Sequence, residues 1–260
     1  MIRIPTNPAF HIVFDAAAWL GGALLARALY RWRLQGAVTE AAGKVGPGYF
    51  AALGIGAILG GYLSGSLVSL VGPVPTLSHS IAGVLAGAIV GVEAYKTVRG
   101  ITGSTGVAFT GALALGIAIG RWGCLFAGIA DNTYGTPTSL PWAVDLGDGV
   151  GRHPVEIYES AAMAGFLAVY LLALKRRAPW AMRRGFYVFV AWYGVQRFGW
   201  EFLKPYPRLF LGLDLFQLVA VGLVTYGWIW FVRDQRRERA GAPEPQERAL
   251  SVPRPDHEPV

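Results

Sequence analysis

One cysteine, Cys124, stands among 260 residues, which excludes an intramolecular disulfide framework. Charge is also scarce: Asp, Glu, Lys and Arg make up 15% of the chain, against about 25% in soluble domains. Acids are outnumbered by bases, 16 to 23, for a net charge of +7. The bases fall in loops between apolar runs, so the surplus points to membrane topology and anionic lipid and against nucleic acid as a partner. No glycine loop resembles a nucleotide cradle, and no internal repeat suggests a transporter with duplicated halves. No His/Cys/carboxylate spacing resembles a metal site, so neither metal nor cofactor is expected.

What the chain has in abundance is apolar length. Hydrophobic residues form 53% of it, with 35 glycines and 9 tryptophans, and the mean hydropathy is +0.41. Runs of about 20 apolar residues, the length that crosses a bilayer, lie near 13–30, 48–71, 77–95, 106–126, 157–174, 186–203 and 210–232. The expected fold is an all-α polytopic membrane protein of about seven helices, with a polar extracytoplasmic loop. Lys44 follows span one, Lys96 and Arg99 span three, Lys175 to Arg177 span five and Arg233 to Arg239 span seven, whereas 71–78 is uncharged. The positive-inside rule then puts the N-terminus outside and the C-terminus in the cytoplasm. Residues 1–233 form the seven-span domain, and the Arg-, Glu- and Pro-rich tail 234–260 is expected to be disordered. With only Arg3 before it, the first span reads as an uncleaved helix and not a signal peptide.

Polar residues concentrate between Gly120 and Glu159. Arg121 ends a long apolar run, where a charge is costly and usually functional; the alternative is an arginine that snorkels to the surface. Its guanidinium fork suits a phosphate, and Gly120 and Gly123 would let backbone approach closely. Arg197 and Glu201 lie four residues apart on one helix face, either as a self-neutralising pair or with Glu201 orienting Arg197 towards an anion. His79 stands at the start of span three, with Ser78 or Thr76 as a possible cap, and is either a proton acceptor or an interfacial histidine. Arg152-His153-Pro154 opens span five, with Tyr158 and Glu159 in its first turn, where acids also suit the helix dipole. Cys124 reads as a small buried hydrophobe, Glu93 as facing Lys96 or the cytoplasmic edge, and Asp15 has no assigned role.

The ordered set resembles the prolipoprotein diacylglyceryl transferase family. It runs through Gly-Arg-x-Gly at 120–123, Tyr134-Gly135, Leu-Pro-Trp at 140–142, Arg-His-Pro-x-x-x-Tyr-Glu at 152–159, Arg-Phe-x-x-Glu at 197–201, His79 and Asp-Leu-Phe-Gln at 214–217. The resemblance implies transfer of a diacylglyceryl group from phosphatidylglycerol to the lipobox cysteine in the signal peptide of a prolipoprotein, at the bacterial plasma membrane. Arg121 and Arg197 would hold the phosphate, Glu201 would orient Arg197, and His79 would take the thiol proton. Gly123, Asp131, Asn132, Tyr134, Gly135, Arg152, His153, Tyr158, Glu159 and Gln217 would bind substrate. Four features depart from the family pattern. Cys124 replaces an asparagine, and the acid eight residues after the arginine is missing, Asp131 being ten residues after it. The span-two arginine and the aspartate that opens span four are absent as well. They leave open a relative acting on another lipid or acceptor, or a phospholipid-binding membrane protein without catalysis.

Overall fold

A computed structural model describes residues 1–70 and 77–241. Thr76, one of the two proposed caps, the uncharged stretch 71–76 and the tail from 242 lie outside the described residues. Among the described residues, nine α-helices follow in order: α1 Ala9–Leu29, α2 Gln35–Gly43, α3 Pro47–Leu70, α4 Ile81–Arg99, α5 Thr110–Ala127, α6 Val155–Lys175, α7 Pro179–Arg183, α8 Gly185–Glu201 and α9 Leu215–Arg239. A single π-helical stretch, Tyr30–Leu34, joins α1 to α2. Among the described residues, six helical segments are long and apolar enough to cross a membrane, and they correspond to expected spans one to five and seven. The sixth expected span is α8, of only 17 residues. At 1.5 Å per residue it is about 26 Å long, slightly under the hydrocarbon thickness. It is buried against its neighbours through Phe189, Val190 and Tyr193. α9 continues to Arg239, six residues into the stretch expected to be a disordered tail.

Small residues set the α3–α4 contact. A Cβ added at Gly60 would meet the Gly83 carbonyl oxygen at 2.3 Å, and one at Gly87 the Gly56 oxygen at 2.1 Å. Only glycine lets the two backbones touch there, the small-residue packing that apolar surroundings favour because lipid supplies no hydrophobic drive. The larger core is built differently, from Phe166, Tyr170, Phe189 and Tyr193 of α6 and α8 with Leu223 of α9.

The polar loop between α5 and α6 adds a feature that helical periodicity does not signal. Strands β1 Ile2–Arg3, β2 Val144–Asp145 and β3 Gly151–Arg152 form a small sheet, β1 parallel and β3 antiparallel to β2. It ties the N-terminus to the loop over a separate core of Leu125, Val144 and Leu146. Asp145 closes the β2–β3 turn by accepting from the Gly147 and Gly149 amides, both at 2.9 Å, and those bonds hold its carboxyl below the usual carboxylate range.

Candidate active site

The helices alternate in direction, so the start of α1, α4, α6 and α9 and the end of α5 and α8 share one end of the bundle. The polar loop covers that end. The opposite end carries Lys96 with Glu93 (2.8 Å) and Arg184 with Glu238 (3.2 Å). Glu93 also accepts from the Tyr226 hydroxyl at 2.8 Å, so its expected pairing with Lys96 holds and gains a third member.

At the loop end, three cations converge on one carboxylate. Arg121 Nε lies 2.6 Å from Glu159 Oε2, while Arg197 Nη1 and Lys204 Nζ each lie 2.9 Å from Oε1. Glu201 takes Arg197 Nη2 at 2.5 Å and Lys204 at 3.5 Å. Glu159, Arg197, Glu201 and Lys204 are all 3% exposed or less, so this is a dry network in which each charge depends on the others. The i,i+4 spacing of Arg197 and Glu201 thus does put both groups on one face. Burial pushes the Lys204 ammonium down from its ordinary value, and the adjacent Arg197 guanidinium pushes it the same way. Arg197 Nε is a buried donor without a partner among the described residues. Three positive groups contact two carboxylates directly at this junction, with the buried Glu156 carboxyl close enough to Arg121 and Lys204 to interact, and the cationic face suits an anion.

Other anticipated residues have definite places around this network. Asp131 accepts from Thr133 Oγ1 at 2.7 Å and lies 3.1 Å from His11. Asn132 adopts a left-handed conformation (φ 59°), and its carbonyl accepts from the Tyr206 hydroxyl at 2.9 Å. Arg152 stacks over Tyr134 at 4.8 Å and donates to Asp148 at 2.6 Å. Gly135 is required because a Cβ would fall 2.2 Å from the His153 carbonyl oxygen. Tyr158 accepts from Trp142 Nε1 at 2.8 Å and packs against Trp200 and His153, forming an aromatic wall. Gln217 is fully buried: it completes the Asp214 capping box and takes Arg208 Nη1 at 2.7 Å, so its polar atoms serve the entry to α9.

Several expectations change. His79 is exposed and precedes α4, with Tyr62 of α3 as its ring neighbour at 6.2 Å; the Glu159 network does not include it. The cap of α4 is Ser80, without a side-chain bond, so Ser78 does not cap it. Gly123 makes room for α1, since a Cβ would meet Phe14 Cβ at 2.9 Å, whereas Gly120 faces open space. Cys124 is half-exposed, not a buried hydrophobe, and its Sγ lies 3.6 Å from Arg121 Nη1 and 3.7 Å from His11 Nε2. His11, Cys124 and Asp131 present donor atoms all within 4.8 Å of one another, a grouping that no sequence spacing suggested. His11 and Lys204 were missed: one lies 113 residues from its thiol partner, the other beyond the apparent end of a span.

The sequence model of the family described as prolipoprotein diacylglyceryl transferase matches residues 16–233. The chain belongs to that family. A phosphatidylglycerol–prolipoprotein diacylglyceryl transferase of Finegoldia magna is 35% identical to this family member over 132 residues, half of each chain. A second enzyme of that name from Streptomyces coelicolor is 40% identical over 122 residues, 42% of this chain and 37% of the relative. One from Geobacter sulfurreducens is 36% identical over 131 residues, 48% of each. The chain spans about half the length or less of these relatives. Membership fits a membrane protein with six helices long enough to cross a bilayer.

Proposed function

We propose that this family member transfers the diacylglyceryl group of phosphatidylglycerol to the lipobox cysteine of a prolipoprotein, with residues 1–233 as the transferase domain. The sulfur, as thiolate, forms a bond to the glyceryl carbon; the carbon–oxygen bond to phosphate breaks, and glycerol phosphate leaves with the electron pair. The observation that carries this reading is the convergence of Arg121 from α5 and Arg197 from α8 on Glu159. Two guanidinium groups fixed by one carboxylate are ready to receive a phosphate and to stabilise charge growing on its leaving oxygen. Glu201 keeps Arg197 aligned. His79, exposed at the same end of the bundle, is the base assigned to the incoming thiol. The loop bearing Asp131, Asn132, Tyr134, Arg152 and His153 would then lie outside the cytoplasm. The N-terminus lies with it, and the arginine-rich end of α9 lies inside.

The test is transfer from phosphatidylglycerol in detergent micelles to a synthetic lipobox peptide by the purified chain. The expected result is a diacylglyceryl mass increase on the peptide cysteine. If the folded protein binds phosphatidylglycerol but leaves the peptide unchanged, while a relative modifies it, the reading gives way to another acceptor or to lipid binding alone. The replacement of asparagine by Cys124, in contact with Arg121, is the feature that would favour that second reading.

A further inference from the structure

Beside the phosphate-binding arginines lies a second cluster that the transfer reaction does not require. It joins the start of α1 to the end of α5. His11 Nε2 faces Asp131 Oδ1 at 3.1 Å and Cys124 Sγ at 3.7 Å. A tetrahedral zinc ion with ordinary bond lengths would separate a nitrogen and an oxygen ligand by about 3.3 Å, and a nitrogen and a sulfur ligand by about 3.6 Å. The His11–Asp131 and His11–Cys124 separations are close to those edges, and the three donor atoms all lie within 4.8 Å of one another. The outward atoms of the same residues are already held. His11 Nδ1 lies 2.8 Å from Asp15 Oδ2, and Asp131 Oδ2 accepts from Thr133 at 2.7 Å. A carboxylate on the far ring nitrogen is the partner that orients a metal-binding histidine and raises its basicity. Each side chain is half-buried, so an ion could enter.

From this geometry we infer that His11, Cys124 and Asp131 form a binding site for a zinc-class divalent cation, with Asp15 orienting His11. Imidazole with thiolate selects borderline ions such as zinc over magnesium or calcium. One thiolate and one carboxylate balance the two positive charges, while Arg121 shares Glu159 with Arg197 and Lys204 and donates towards the sulfur. Three protein ligands leave one position for water or an incoming thiol, the pattern of reactive and not structural zinc sites. The competing arrangement is a proton shared between His11 and Asp131, which would give the sulfur no role.

The experiment uses the full chain in detergent, stripped with chelator under a non-coordinating reductant and titrated with Co²⁺. The expected result is one Co²⁺ per chain with a thiolate-to-cobalt charge-transfer band that zinc displaces. Cys124→Ser should lose the band, His11→Ala should lose binding, and Asp15→Asn should weaken it by about 10–100-fold. No band in protein of unaltered helix content would overturn the site and leave a proton-bridged ion cluster. Equal Co²⁺ affinity in wild type, His11→Ala and Cys124→Ser would also overturn it, because the metal would then be bound elsewhere.

Discussion

Glu159 carries the junction because one carboxylate neutralises parts of three cations drawn from α5, α8 and the turn after α8. Removing its charge would leave Arg121, Arg197 and Lys204 buried around Glu201 alone. Glu159→Gln is expected to cost about 3–5 kcal/mol, the usual penalty for orphaning buried ionic partners. Thermal unfolding in detergent measures it. Adding Lys204→Met should recover part of the loss, since it removes one of the uncompensated charges; strictly additive losses in the double variant would show that Lys204 is not coupled to Glu159. At this scale the sequence was partly legible. The spacing of Arg197 and Glu201 announces a shared helix face, and a lone arginine after an apolar run announces a charge that is buried only with a partner. Nothing local links Glu159 to Lys204, 45 residues apart, or His11 to Cys124.

The helices divide between two modes of packing, and substitutions should separate them. Between α3 and α4 the backbones touch, so Gly87→Leu should prevent the pair from docking, read as loss of monodisperse protein after extraction. At Gly120 a Cβ meets nothing within 4 Å, so Gly120→Ala should be neutral or stabilise by about 0.4–1 kcal/mol through the unfolded chain. Apolar run length located the helices well, because bilayer thickness imposes it. It did not distinguish the two glycines expected to admit close backbone approach: Gly123 admits Phe14 and the backbone of His11 from α1, whereas Gly120 faces open space. It was equally blind to strands of two residues each, too short to display an alternating pattern.

Across the whole molecule, the N-terminal strand and the β2–β3 turn clamp the loop over the charged end of the bundle. Asp145 is the centre of that clamp, bound by two amides and by Arg3 at 3.4 Å. Its carboxyl titrates below its unfolded value of about 3.9, so the stabilisation is complete above that pH and is lost as pH falls through the lower, folded value. The protection factors of the Gly147 and Gly149 amides, taken against the intrinsic rate at each pH, should therefore fall in acid, and Asp145→Asn should already show low protection at neutral pH. Protection that stayed constant through the protonation of the Asp145 carboxyl, or that survived in Asp145→Asn, would remove the carboxylate from that role.

The central claim is that Arg121 and Arg197 together receive a phosphate at the loop end of the bundle. The most direct measurement is diacylglyceryl transfer to a lipobox peptide by wild type, Arg121→Ala and Arg121→Lys, each checked for unaltered insertion and helix content. Loss of one donor to a developing charge typically costs about 10²–10³ in turnover, so Arg121→Ala should fall at least that far. Lysine should restore little, because a point charge lacks the planar fork. Wild-type turnover in Arg121→Ala would contradict the account.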